Sequence, residues 1–209
     1  MAMAQRVATA AVVFLLVATS VTSTAHAQGT SVDELLGKLR AGGYIIVLRH
    51  GATHPDQADT DPLNFDNVAQ QRQLNDKGRA DARALGEAFK RAAVPIGRVY
   101  SSRFQRAVET ARLVAGKDPE TTNDVTEGGL VVTPNENNRR MQALRALVAR
   151  APEAGTNTLI VTHKPNILDA FGKDWFDIRE GEASIFGPDG RGGFTLIGRV
   201  QIGQWTTAR

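Results

Sequence analysis

The chain has 209 residues, a formal net charge of +3, no cysteine and 42% hydrophobic residues. This length fits one domain with a sizeable core, and the balance of apolar and charged residues excludes a disordered, coiled-coil or collagenous chain. The missing cysteines exclude disulfide staples, thiolate zinc sites, iron–sulfur clusters and thiol nucleophiles, and so small a net charge gives no reason to invoke nucleic acid.

Residues 1–27 hold a single charged side chain, Arg6, followed by an apolar run from Val7 to Ala18 and the triplet Ala25-His26-Ala27. A positive start, a short apolar middle and an Ala-x-Ala end form the pattern of a cleaved secretory signal. A membrane anchor needs about 20 consecutive apolar residues, and the polar stretch Thr19-Ser20-Val21-Thr22-Ser23-Thr24 interrupts too early. The expected product is residues 28–209, one domain, periplasmic or secreted for a bacterial source, with no stable membrane anchor after cleavage.

In the remaining chain, Ser31 and Glu34 are placed as a capping box for a short helix that Gly42-Gly43 stops. The run Tyr44-Ile45-Ile46-Val47-Leu48 predicts a strand buried on both faces, ending in Arg49-His50-Gly51. Residues 52–71 have no periodicity and predict a long loop, which in a compact domain points to function. Asn75 caps a second helix with Ala82, Leu85 and Phe89 on one face. A strand over residues 96–100 follows, and Ser101-Ser102 opens a helix bearing Phe104, Ala107, Val108, Ala111 and Val114. A third strand is expected over residues 130–132, then a turn at Pro134-Asn135 and a helix carrying Met141, Leu144, Leu147 and Val148. A fourth strand over residues 158–162 ends in His163, with a helix starting at Lys164-Pro165-Asn166. Two further strands, over 183–186 and 194–200, flank a glycine-rich connection. The expected architecture is α/β, a three-layer sandwich with a mostly parallel central sheet and an antiparallel C-terminal hairpin.

Two of the three histidines beyond the leader therefore sit at carboxyl ends of strands, where ligands bind in open α/β sheets. Between them, a strand leads into a helix carrying Arg103 and Arg106. Helix N-termini attract anions, and arginine supplies forked, permanently charged donors for a tetrahedral oxyanion. The natural guest of such an edge is a phosphoryl group. Each piece alone has an ordinary reading: a strand-end histidine as a structural hydrogen bonder, Arg106 and Arg112 as solvated surface residues. Their coincidence at neighbouring strand ends favours chemistry.

Leu48-Arg49-His50-Gly51 resembles the signature of the histidine phosphatase superfamily, the phosphoglycerate mutase-like proteins. The segment from Arg72 to Gly78 and the run Val99-Tyr100-Ser101-Ser102-Arg103-Phe104-Gln105-Arg106-Ala107-Val108-Glu109-Thr110-Ala111 resemble its next block, and Val161-Thr162-His163 its third. The likeness is closest to short SixA-type members. It implies a phosphoglycerate mutase-like fold in which His50 accepts the phosphoryl group while Arg49, Arg106 and His163 surround its oxygens. It implies no metal or other cofactor, a small-molecule phosphoester as the partner, and a carboxylic acid that protonates the leaving group. Glu136 is preferred for the acid over Glu127, because it lies next to a helix start; its ordinary reading is a helix N-terminal acid. Arg103 stands where many relatives have Pro, and His54 is a further candidate for the pocket. Residues 52–71 and 173–181, the latter with Trp175, Phe176 and Arg179, are expected to set specificity. The function expected is an exported phosphomonoesterase working through phosphohistidine at His50; the alternative is a phosphate- or phospholigand-binding module of the same fold with little turnover.

Overall fold

The computed structural model describes residues 31–128, 131–191 and 193–205. The expected leader, Leu130 of the expected third strand and Gly192 of the hairpin connection lie outside them. Helix α1 (Val32–Ala41) begins at Ser31, whose hydroxyl accepts from the Glu34 amide. The Glu34 carboxylate pairs with Lys38 and so forms only half of the expected box. Strand β1 (Ile45–Arg49) follows, and residues 50–75 form the long connection, broken only by a 3₁₀ turn (Val68–Gln70) and a bridge between Thr53 and Leu74. Asn75 caps α2 (Asp76–Arg91) by accepting from the Gly78 amide at 2.8 Å.

Strand β2 (Ile96–Ser101) leads to α3 (Gln105–Ala115). This helix starts three residues later than the serines suggest, because Ser102 accepts from the Phe104 amide and holds a turn ahead of the helix. The third strand, β3, is Glu120–Thr121, paired with Tyr100 and Ser101. Val131 and Val132, expected there, form a bend with Val131 exposed. Pro134, expected in a turn, opens α4 (Pro134–Ala149) behind a Thr133 cap, a position where its missing N–H costs nothing. Strand β4 (Asn157–Thr162), α5 (Lys164–Phe171), β5 (Ala183–Pro188) and β6 (Phe194–Val200) complete the chain as expected.

The sheet order is β3-β2-β4-β1-β5-β6, with β3, β2, β4 and β1 parallel and β5 and β6 antiparallel to their neighbours. Alternation along β1 divides the core. Ile46 and Leu48 pack with α1, α2, α3 and Trp205 on one face, Ile45 and Val47 with α4 and α5 on the other. Both faces of β1 and β4 are therefore dry, which explains their continuous apolar runs. The parallel trio β2-β4-β1 places three carboxyl ends side by side, at Ser102, His163 and His50.

Candidate active site

The three strand ends are braced to one another by backbone bonds. The His50 amide donates to Thr162, the Ser102 amide to Val161, and Gly181 donates to the carbonyl of His50 at 2.9 Å. His50 and His163 are both 1% exposed, with ring centroids 5.1 Å apart. Nδ1 of His50 lies 2.8 Å from the Gly51 carbonyl. A carbonyl only accepts, so Nδ1 carries the proton and Nε2 presents its lone pair. Burial, reinforced by His163 and Arg106, pushes the His50 pKa well below its ordinary value. His163 is pushed down likewise, by burial first and then by Arg106, Arg72 and Arg49. Both imidazoles are therefore neutral at neutral pH. Nε2 of His163 lies 2.7 Å from the Ser102 hydroxyl.

Arg106, weighed above as a surface residue, is completely buried and enters from the first turn of α3. Its Nη1 donates to Asp59 at 2.9 Å and its Nη2 to Glu127, while its guanidinium stacks 4.3 Å from the Phe104 ring centroid. Arg49 donates through Nη1 to the Ile178 carbonyl and lies 3.7 Å from Glu180, which accepts from the Thr53 hydroxyl. Oε1 of Glu127 sits 3.3 Å from Nδ1 of His163, outside hydrogen-bond geometry. Nε of Arg49, Nε of Arg106 and Nδ1 of His163 are all buried without a hydrogen-bond partner among the described residues. Three such nitrogens, carried by three elements of the strand-end cluster, form an environment suited to a multivalent oxyanion, because an unpaired buried polar group is costly.

The turn after His50 depends on close backbone approach. A Cβ on Gly78 would lie 2.1 Å from the Ala52 carbonyl oxygen, and one on Gly51 would meet the Gly78 backbone at 3.0 Å. The Gly51 amide donates to the Thr110 hydroxyl of α3. The start of α2 and the middle of α3 thus hold the loop that carries His50.

Of the residues singled out in the sequence, His50, Arg49, Arg106 and His163 come together. Glu136 does not. Its carboxylate is held by Arg139 and Arg140, which push its pKa down to about 2. Glu127, the other carboxylate weighed in the sequence, contacts Arg106 and lies 3.3 Å from Nδ1 of His163. His54 is a half-buried loop residue whose backbone bonds to Gln73. Arg103 stacks over Phe65, 4.4 Å from its ring centroid, and Arg112 pairs with Asp118 on the surface. Trp175 is packing: it is buried, and its indole donates to Ser184; Phe176 is 69% exposed. Sequence reasoning missed Asp59 and Glu180, polar residues without a motif, and gave no role to Thr110, which lies within the second block. Among the described residues, no helix is long and apolar enough to cross a membrane, and no cluster of three or more His, Asp or Glu could hold a metal ion.

Comparison with known proteins adds a family. The family model described as the histidine phosphatase superfamily (branch 1) matches residues 45–130. Among solved structures, the protein histidine phosphatase SixA complexed with tungstate is similar at 20% identity and a TM-score of 0.52, over 76% of this chain and 97% of that one. Phosphoserine phosphatase from Entamoeba histolytica, in complex with 3-phosphoglyceric acid, is 17% identical with a TM-score of 0.52, over 78% of this chain and 98% of that one. A mycobacterial glucosyl-3-phosphoglycerate phosphatase complexed with VO3 is 18% identical with a TM-score of 0.51, over 74% of this chain and 97% of that one. At these identities the structures show a shared fold. A search of curated proteins returned no match.

Proposed function

We propose that the chain, whose residues 45–130 match the histidine phosphatase superfamily model, is a member of that superfamily and an exported phosphomonoesterase acting through a phosphohistidine at His50. The observation that carries the reading is the neutral His50 imidazole, with Nδ1 committed to Gly51, together with the unpartnered buried nitrogens of Arg49, Arg106 and His163.

Nε2 of His50 attacks phosphorus as the ester P–O bond breaks, in line with the departing oxygen. Arg49, Arg106 and His163 stabilise the charge spread over the equatorial oxygens. Glu127 gives the leaving oxygen its proton, then takes one from the water that attacks phosphohistidine and regenerates His50. The two arginines supply the positive charge in this scheme and neutral His163 adds a polar contact, so chelation is expected to leave turnover unchanged. The partner is a small phosphoester. The solved relatives that carry 3-phosphoglyceric acid, tungstate or VO3 are consistent with an oxyanion guest.

The test is hydrolysis of a generic aryl phosphate by the wild type and by His50→Ala, with rapid quenching to trap an acid-labile phosphoryl adduct. Loss of both turnover and adduct is expected in the variant. Full residual activity would overturn the covalent role, and phosphate binding without hydrolysis by the wild type would replace the enzyme with a binding module. Export rests on the leader pattern alone; N-terminal sequencing of the exported protein is expected to begin at Gln28.

A further inference from the structure

The loop over residues 55–71 is held together by hydrogen bonds of its own. The Thr60 amide bonds to the Gln70 carbonyl at 2.9 Å, the Asn67 amide group to Asp61 at 3.0 Å, and the Gln71 amide group to the Phe65 carbonyl at 2.8 Å. This unit is seated on four consecutive residues at the start of α3. Arg103 stacks on Phe65, and Phe104 meets the same ring edge-on at 5.1 Å. The Gln105 amide donates to the Gln71 side chain at 2.7 Å, and Arg106 donates to Asp59 at 2.9 Å. Three of these contacts hold the loop; the fourth holds the phosphate-binding arginine.

We propose that Asp59 is a positioning residue for phosphoryl transfer: from the 55–71 loop it orients the Arg106 guanidinium. The inference rests on the phosphatase reading above. The same Oδ1 that accepts from Arg106 also accepts from the Arg72 amide at 2.9 Å, so Asp59 is gripped from two sides. With Nη1 on Asp59 and Nη2 on Glu127, the guanidinium plane is fixed by two carboxylates from opposite segments of the chain. A guanidinium has five N–H donors, and these two bonds leave the others, including the unpartnered Nε, for an oxyanion. Losing the Asp59 contact frees the plane to rotate, and a misplaced donor costs rate even while substrate still binds.

The test compares Asp59→Ala, Asp59→Asn and Phe65→Leu with the wild type, reading kcat and KM on an aryl phosphate and the affinity for inorganic phosphate by calorimetry. Asp59→Ala is expected to lower kcat on the order of 10-fold or more with a much smaller change in KM. Asp59→Asn, which keeps an acceptor for Arg72 and Arg106, is expected to recover part of that loss. Phe65→Leu loosens the loop without touching Arg106 and is expected to act mainly on KM. A kcat for Asp59→Ala within about two-fold of wild type, or an equal loss of kcat in Phe65→Leu, would overturn the proposal. If Asp59→Ala does not fold, Asp59→Ser, which also removes the carboxylate, is read against the same criterion. Should the wild type hydrolyse nothing, the phosphatase reading fails separately. Phosphate affinity then decides: weaker in the Asp59 variants supports positioning, whereas equal or tighter binding makes Asp59 a mere competitor and overturns it.

Discussion

His50 and His163 are neutral for the same reason: each is buried against the other elements of the strand-end cluster with arginines close by, so a proton on either would add charge where solvent cannot spread it. In the unfolded chain both titrate near about pH 6.5. The unfolded state therefore takes up protons that the folded state refuses. The stability held by the neutral imidazoles is complete above that pH and is lost as pH falls below it. The limiting slope is about 1.4 kcal/mol per pH unit for each histidine. Denaturant titrations between pH 7.5 and 5 are expected to show this fall, and His163→Gln to show it reduced by one proton; parallel curves for the two proteins would contradict the assignment. Activity should persist well below pH 6.5, since His50 stays unprotonated there. The carboxylates diverge as clearly. Glu127 touches Arg106 and His163, whereas Glu136 is locked to Arg139 and Arg140 with its pKa near 2 and has no proton to lend. Glu127→Gln is expected to reduce kcat on the order of 10²-fold, most for esters with poor leaving groups. Glu136→Gln should remain within about two-fold of wild type in kcat, because its carboxylate is committed to Arg139 and Arg140. Equal kcat for the two variants would sink the assignment of Glu127.

At the scale of elements, the site is made by close approach more than by side chains. The first turn of α2 touches the backbone just after His50, with no room for a Cβ at Gly78. Gly78→Ala must push α2 away from Ala52, at a cost of about 1–3 kcal/mol, and carry the His50–Gly51 turn with it. Reduced stability together with reduced kcat is expected in denaturation and turnover assays; a variant matching wild type in both would show the contact to be soft. A glycine in a helical first turn carries no sequence mark of what it touches, so this requirement was invisible before the fold. The cap at Asn75 was visible, because an amide side chain three residues ahead of an orphan N–H acts locally. The start of α3 was misplaced for a related reason. Serines favour both caps and turns, and here Ser102 closes a turn and reaches His163.

Across the whole molecule, stability comes from two apolar clusters on either side of one sheet, with no covalent staple. Trp205 closes the larger cluster. It is fully buried and meets Phe89 edge-on at 5.3 Å. Trp205→Ala is expected to cost about 3–5 kcal/mol, read as a lowered unfolding midpoint with little change in kcat at a temperature where the variant is folded. A loss below about 1 kcal/mol would mean that Trp205 packs loosely. The alternation of apolar strands and amphipathic helices was enough to specify the α/β class, the buried strands β1 and β4, and the histidines at their ends. Those signals are periodic or adjacent in sequence. The tertiary structure alone decided which carboxylate reaches the pocket, that Arg106 is buried instead of solvated, and that Asp59 of an unpatterned loop grips it. Those outcomes depend on residues far apart in the chain meeting at one sheet edge, and no local preference of Asp59, Arg106 or Glu127 carries that information.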